Sequence, residues 1–516
     1  MKNWPNTKSG ASLKDELSSI LIRAAQRWPS IEWSSFEMAR SIVKFNDQEH
    51  PWDETACPEG IDVQILALSF SDLIQLEEFD KLEVGTKKLL SSYRSKFPPW
   101  EEKKTQEWFR EVRRRTFGSA SSTGGYLDFR GMGSQSPIAE ASYAHFRLYH
   151  FAPSLISLCL TIHPSDEFQK MFRSLIETNA RPRPSIGRFS LRRGIQEWSY
   201  GSAVSVRMEE IDKLFMDINK HVVKFLRQNL GVGLSRFGPL PFVPVFRTNE
   251  SLSIFPIKWN EEDKQNPKLR SSFWHSLSLN PFDQYRTYSG GSFHINMVER
   301  AKNNHSQYNV LISEPDYRET RKLGDTDDVN HEMFSFFRFF LENLSSLIAL
   351  GHLMKRFEIE IIKLRDILAP ALSGQRLGRI GPKSLRTGFK RLATANGLNY
   401  SQTRVISEIG ENFVRRLLRM DLAGVIRRGS ENDKKDEFVD GLVWRIESAS
   451  TFNKAQLDIL KKSFEEMIAY RASRVNVRIQ IWMTVLTILM LVLTFVLLIP
   501  ETKRNIIVEE LFRFLQ

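Results

Sequence analysis

Apolar positions change their spacing several times along the chain. Over 12–27 and 62–95 they recur with helical periodicity, and the stretch closes in the basic-aromatic EWFREVRRRTFG, so 1–117 is expected to be a helical N-terminal region. Residues 118–137, GSASSTGGYLDFRGMGSQSP, are rich in Gly and Ser and read as a loop. Helical patterning returns over 138–232, interrupted at RPRPSIGRFSLRRG (181–194), where Pro and Gly break it. Between 233 and 320 short runs such as PFVPVFRT, LSIFPIKW, GSFHINMV and QYNVLISE carry β-branched and aromatic residues between turn formers, the pattern of a small antiparallel sheet. From 321 to 478 helical spacing resumes. The expected fold class is α+β, mainly helical, with a helical N-terminal region, a small β-rich region and long helices leading into one C-terminal transmembrane helix.

That last helix is the plainest signal. No ionisable residue lies between Arg478 and Glu501, and 14 of the 21 residues from Ile479 to Ile499 are Leu, Ile, Val or Phe. At 1.5 Å per residue the run covers roughly 30 Å, the thickness of a bilayer's hydrocarbon core. Its aliphatic and aromatic side chains favour insertion by about 4–8 kcal/mol in total. Trp482 and Pro500 sit where an interfacial aromatic and a helix stop belong. A second apolar stretch, 333–354, contains Arg338, Glu342 and His352. Centrally placed charges cost about 2.5–3.5 kcal/mol each on insertion, so this stretch reads as a long buried helix. Residues 500–516 form an amphipathic tail, with Val508, Leu511, Phe512 and Leu515 opposite Glu509, Glu510 and Arg513. The chain's opening, MKNWPNTKSG, lacks the apolar core of a signal peptide, so the bulk is expected on the cytoplasmic side of a single-pass membrane protein.

Upstream of the span, apolar residues hold a heptad period over 439–467. Val443, Leu457 and Phe464 fall on one register and Val439, Ile446, Leu460 and Met467 on the other, with Ser450 and Asn453 the polar members. Such a seam serves either an intermolecular coiled coil, in which Asn453 would fix register, or a helix packed against its own chain. The same register continues into Arg471, Arg474 and Arg478, a basic collar that either stacks in an oligomer or reaches for anionic lipid. Thr484, Thr487 and Thr494 lie along one stripe of the span, where hydroxyls line a pore, bond between helices or bond back to their own helix.

A long helix running directly into a C-terminal span, with a basic collar at the junction and an α/β region upstream, resembles the CorA-type divalent-cation channel family over roughly 330–505. The resemblance implies an oligomeric, funnel-like membrane protein. That family closes its first span with Gly-Met-Asn and adds a second span. Here the corresponding place reads LLIPETKR with no second span after it, so no filter residue carries over.

Charge adds to the picture. The chain of 516 residues has a formal net charge of +12, which suits an anionic partner. In LGRIGPKSLRTGFKRL, Arg379, Lys383, Arg386 and Lys390 share one helical face, with Arg391 beside it and Arg376 leading in. These are candidates for phosphate from a nucleotide, RNA or acidic lipid, against the alternative of a solvated basic face. Asp325, Asp327, Asp328, His331 and Glu332 cluster before a helix, where capping and the helix dipole favour acids; oxygen ligation of a cation is the other reading. Two cysteines exclude a disulfide framework and a multi-Cys zinc site. No Walker A loop, GxGxxG after a strand, HExxH, GxSxG or CxxC occurs, no cofactor is implied, and His145 and His150 are spaced badly for one helical face. Three classes remain: a ligand-binding, lipid-anchored and self-associating membrane protein, for which a cell-suicide or antiviral effector that permeabilises the bilayer would fit; a CorA-like transporter without the usual filter; and a membrane-tethered enzyme acting on nucleic acid or nucleotides.

Overall fold

A computed structural model describes residues 27, 54–93, 99–114, 122–130, 132, 136–152, 155–180, 183–190, 194–233, 235, 238–251, 271–279, 284–287, 295–299, 308–321, 329–372, 387–388, 390–393, 425–427, 438–498, 510 and 513. In chain order the elements are β1 (Val63–Gln75), α1 (Phe79–Ser92), α2 (Pro99–Arg114), β2 (Ser122–Asp128), β3 (Ala141–Ala152), β4 (Leu155–Pro164), α3 (Asp166–Ile176), β5 (Arg183–Ser190) and β6 (Gly194–Gly201). There follow α4 (Ala203–Asn229), β7 (Phe242–Thr248), α5 (Ser271–Ser276), β8 (Gln284–Thr287), β9 (Ile295–Glu299), β10 (Tyr308–Ser313), α6 (Glu314–Arg321), α7 (Val329–Leu372), β11 (Val425–Arg427) and α8 (Phe438–Leu498). The class is the expected one, α+β and mainly helical, with long helices ending in one long apolar C-terminal helix. The chain forms two compact units, Met1–Lys355 with Ser401–Ala449, and Arg356–Tyr400 with Ser450–Gln516.

The first unit is built on one nine-stranded sheet, in the order β11-β8-β9-β10-β7-β1-β4-β3-β2, with β5 and β6 forming a separate hairpin. The expected layout fails in three places. The stretch 62–75, expected to be part of an amphipathic helix, is the strand β1, VQILALSFSDLIQ, paired antiparallel to both β4 and β7. Its residues are buried on both sides, so it lacks the alternation that marks a half-exposed strand. Within 138–232 the strands β3 and β4 and the β5–β6 hairpin precede the helix α4. Residues 122–128, in the expected Gly/Ser loop, form β2, paired with β3. The β-rich stretch 233–320 joins this same sheet, and β10 runs parallel to β7, so the sheet is larger than expected and mixed.

The two faces of the sheet differ in chemistry. On one, Phe70, Phe242 and Phe246 meet Phe172 of α3 and Phe215 of α4, with ring centroids 5.2–6.2 Å apart. Thr105 of α2 bonds Thr123 of β2 at 2.9 Å on that side. Ser165 and Ser202 cap α3 and α4 by accepting from Phe168 and Ser205 N–H. Asn219 of α4 clamps Leu240 by donating to its carbonyl (2.6 Å) and accepting from its N–H (3.0 Å), which fixes the approach to β7. At Gly85 a Cβ would come within 2.7 Å of the Asn229 carbonyl oxygen, so α1 and α4 touch backbone to backbone.

In the second unit, Phe357, Ile361 and Leu364 of α7 bury against Leu392 and against Leu457, Leu460 and Phe464 of α8. In the first unit the 333–354 stretch, as expected, is a buried helical segment: Met333, Phe337, Leu341, Leu344 and Ile348 of α7 are all 1% exposed or less.

Candidate functional site

The second sheet face is polar and buried, and it forms the most distinctive site in the first unit. Strand alternation sends residues 143, 145, 147 and 149 of β3 and 157, 159, 161 and 163 of β4 to one side. Register then aligns them in rows. One row runs Tyr126–His145–Thr161–Ser69 and the next runs Gly124–Arg147–Cys159–Ser71. The helix α7 lies over these rows. Its Glu342, wholly buried, accepts from Arg147 Nη1 at 3.1 Å and pairs through its other oxygen with His145 Nδ1 at 2.8 Å. Arg338, one turn earlier, donates to Tyr126 Oη at 3.4 Å. The Arg147 guanidinium lies 4.7 Å from the Tyr149 ring centre, and Tyr143 stacks on His163 at 4.1 Å.

Hydroxyls complete the layer. Ser346 bonds Ser157 (2.6 Å) and Ser71 (3.0 Å), and Ser345 accepts from Ser69 (3.3 Å). The Glu342 carbonyl receives three donors: Ser346 (2.8 Å), Ser345 (3.0 Å) and the Cys159 thiol (3.2 Å). Burial, and then the carboxylate of Glu342, push the Cys159 thiol above its ordinary range, so it stays protonated rather than nucleophilic. Burial likewise holds the Tyr149 phenol well above its usual value. A carboxylate in such a place is stabilised only with its partners present. The layer therefore fixes one register of α7 on the sheet.

Beside this layer a cleft of about 870 Å³ opens between the start of β3 and the β4–α3 junction. Phe129, Tyr143, Phe168 and Met171 give it apolar walls, and Glu140, Asp166 and Glu167 make its rim acidic. Arg130 is held by both carboxylate oxygens of Asp128, which raises its pKa further, and Glu140 is bound by His221 Nδ1 at 2.9 Å. Among the described residues no cluster of His, Cys, Asp and Glu could hold a metal ion.

The residues singled out in the sequence fall as follows. Arg376, Arg379, Lys383 and Arg386 lie outside the described residues; Lys390 is exposed, and Arg391 is 3.6 Å from Glu360. Asp325, Asp327 and Asp328 also lie outside, while Glu332 stands in the first turn of α7. In the heptad seam Ile446, Asn453, Leu457, Leu460 and Phe464 are buried, the last three within their own chain; the side chains of Val443 and Met467 lie outside the description. Arg474 and Arg478 are exposed, and the side chain of Arg471 is not among those described. Thr484, Thr487 and Thr494 each donate to the carbonyl four residues back, at 2.7–2.9 Å. One described helix is long and apolar enough to cross a membrane, and its apolar window is exposed throughout.

His145 and Glu342 were missed as a pair. Helical spacing is the wrong test for His145, which sits in a strand, and in the sequence Glu342 stands out only as a charge that interrupts an apolar run. The alternation Tyr143, His145, Arg147, Tyr149 was the available signal. Comparison with protein-family models, curated proteins and solved structures returned no match.

Proposed function

We propose that the chain is a single-pass membrane protein, anchored by 479–498, whose first unit works on the cytoplasmic side as a ligand-binding module. The observation that carries this reading is the exposure of the apolar run. From Ile479 to Phe495 every residue of α8 is exposed, and large side chains such as Trp482 and Phe495 are 69% and 71% exposed. A helix of this composition standing free in water is costly; in hydrocarbon it is at its minimum. The threonine hydroxyls, bonded to their own backbone, present no unsatisfied donor to lipid. Cytoplasmic placement draws on the three arginines that precede the run, against Lys503 and Arg504 after it. The cleft with apolar walls and an acidic rim supports ligand capture by the first unit.

Alkaline carbonate extraction is the test. The full chain stays in the membrane pellet, and a chain ending at Tyr470 appears in the supernatant. Release of the full chain by carbonate would remove the anchor.

A further inference from the structure

The exposed part of α8 begins well before the span. Phe464 is the last buried residue among those of α8 whose side chains are described, and Ile479 opens the charge-free run 15 residues later, about 22 Å along the helix. This stalk is exposed at every residue whose side chain is described. It is not uniformly polar. Ile468, Ala472, Val475, Ile479, Trp482 and Leu486 follow one another at steps of four and three, and the stripe continues to Leu493 without a polar member. Val475 is 48% exposed and Ile468 36%.

The stripe extends the face that α8 already buries in the second unit. At 3.6 residues per turn, Val475 lies about 20° from Phe464 around the axis, Ile468 about 40°, and Trp482 on the same line. Arg471, Arg474 and Arg478 stand to one side of it. Lipid cannot cover all of it. The headgroup zone extends roughly 5–8 Å beyond the hydrocarbon core, whereas Ala472 and Ile468 lie about 10 and 16 Å before Ile479. Whatever covers the stripe must cross from water into the bilayer along the same axis. A second copy of this chain does so by necessity. Insertion sets the two helices parallel, and each presents the same residues at the same height, so the stripe is self-complementary.

We infer that two copies of the chain associate in parallel along the α8 stripe from Ile468 to Leu493, with Ala472 admitting close approach of the two helices. The inference rests on the membrane-anchor reading. It places the arginines on the flank of the contact and leaves the seam from Leu457 to Phe464 to its intrachain partners.

Disulfide trapping in the full chain, in native membranes, tests it. Cys57 is replaced by Ser; Cys159, wholly buried, remains. Under copper-phenanthroline, Val475→Cys gives a crosslinked dimer, because facing Cβ atoms in such a seam approach within disulfide reach. Ser473→Cys, about 160° away around the helix, stays monomeric. Equal trapping at 473 and 475 would mark random collision, and trapping at Arg474→Cys in place of 475 would put the contact on the arginine face; either result overturns the inference. As a second measurement, light scattering of the detergent-solubilised chain gives twice the chain mass for the parent and once for Ile468→Lys with Val475→Lys. A parent of single-chain mass overturns the association. Carbonate extraction in parallel separates the two readings: a monomer that stays in the pellet loses the dimer and keeps the anchor.

Discussion

Replacement of Arg147 by Met tests the polar layer directly. The guanidinium is 13% exposed and lies 3.1 Å from a Glu342 carboxylate that is wholly buried, so its removal leaves a buried anion without its guanidinium counter-charge, with the His145 ring at 2.8 Å beside it. Breaking such a pair from one side costs about 3–5 kcal/mol, since the surviving charge has been stripped of water without its counter-charge. Unfolding entropy is about 2.1 cal/mol/K per residue, and the first unit has about 400 residues, so this loss lowers its melting temperature by about 4–6 °C. The assay is thermal unfolding of the full chain in detergent, followed by circular dichroism. The double variant Arg147→Met with Glu342→Met recovers at least half of the loss, because two apolar side chains of similar shape replace a pair whose desolvation was costly. A melting temperature for Arg147→Met within 1 °C of the parent would refute the claim that these charges hold α7 in place.

Three further outcomes follow from the geometry. Cys159 and Tyr149 are held protonated by burial, above ordinary values of 9.0 and 10.0, so their contribution to stability is complete below about pH 9 and is lost as pH rises through their folded values; alkaline unfolding curves of the parent should fall off more steeply than those of Cys159→Ser. Gly233 has φ +75° and a Cβ there would lie 2.4 Å from Asp72 Oδ1, so Gly233→Ala should destabilise the first unit by about 1–3 kcal/mol, measured as a lowered midpoint in urea. Leu460→Ala opens the core of the second unit and should cost about 2–5 kcal/mol in the same assay, while carbonate extraction still leaves the chain in the membrane pellet.

The parts of the structure legible in the sequence were those whose periodicity reports a single environment. The run after Arg478 has no ionisable residue on any side, and the 439–467 seam is apolar along one stripe, so both announce helices. Residues 333–354 were read as a buried helix because their charges were too costly for lipid; what those charges met was out of view. Glu342 finds Arg147 195 residues earlier in the chain, a pairing that no local pattern encodes. Residues 63–75 failed for the opposite reason. A strand covered on both faces has no reason to alternate, and its mixture of Leu, Ser and Asp imitates an amphipathic helix. In β3 the alternation was present, but polar residues at every second position suggest a wet face, and here that face lies beneath α7.

The chemistry of that face bears on how the chain survives its own synthesis. Ser71 waits for Ser346, 275 residues downstream, which at 5–20 residues per second is a delay of about 14–55 s. During that interval β1, β3 and β4 are able to pair, while the surface destined for α7 stays open to water. Were that surface leucine and valine, it would be a sticky platform on a nascent chain. Serines, a threonine, histidines and an arginine keep it hydrated until the helix arrives, so the docking of α7 exchanges water for the polar groups of that helix, and this face offers no apolar surface to neighbouring chains in the meantime.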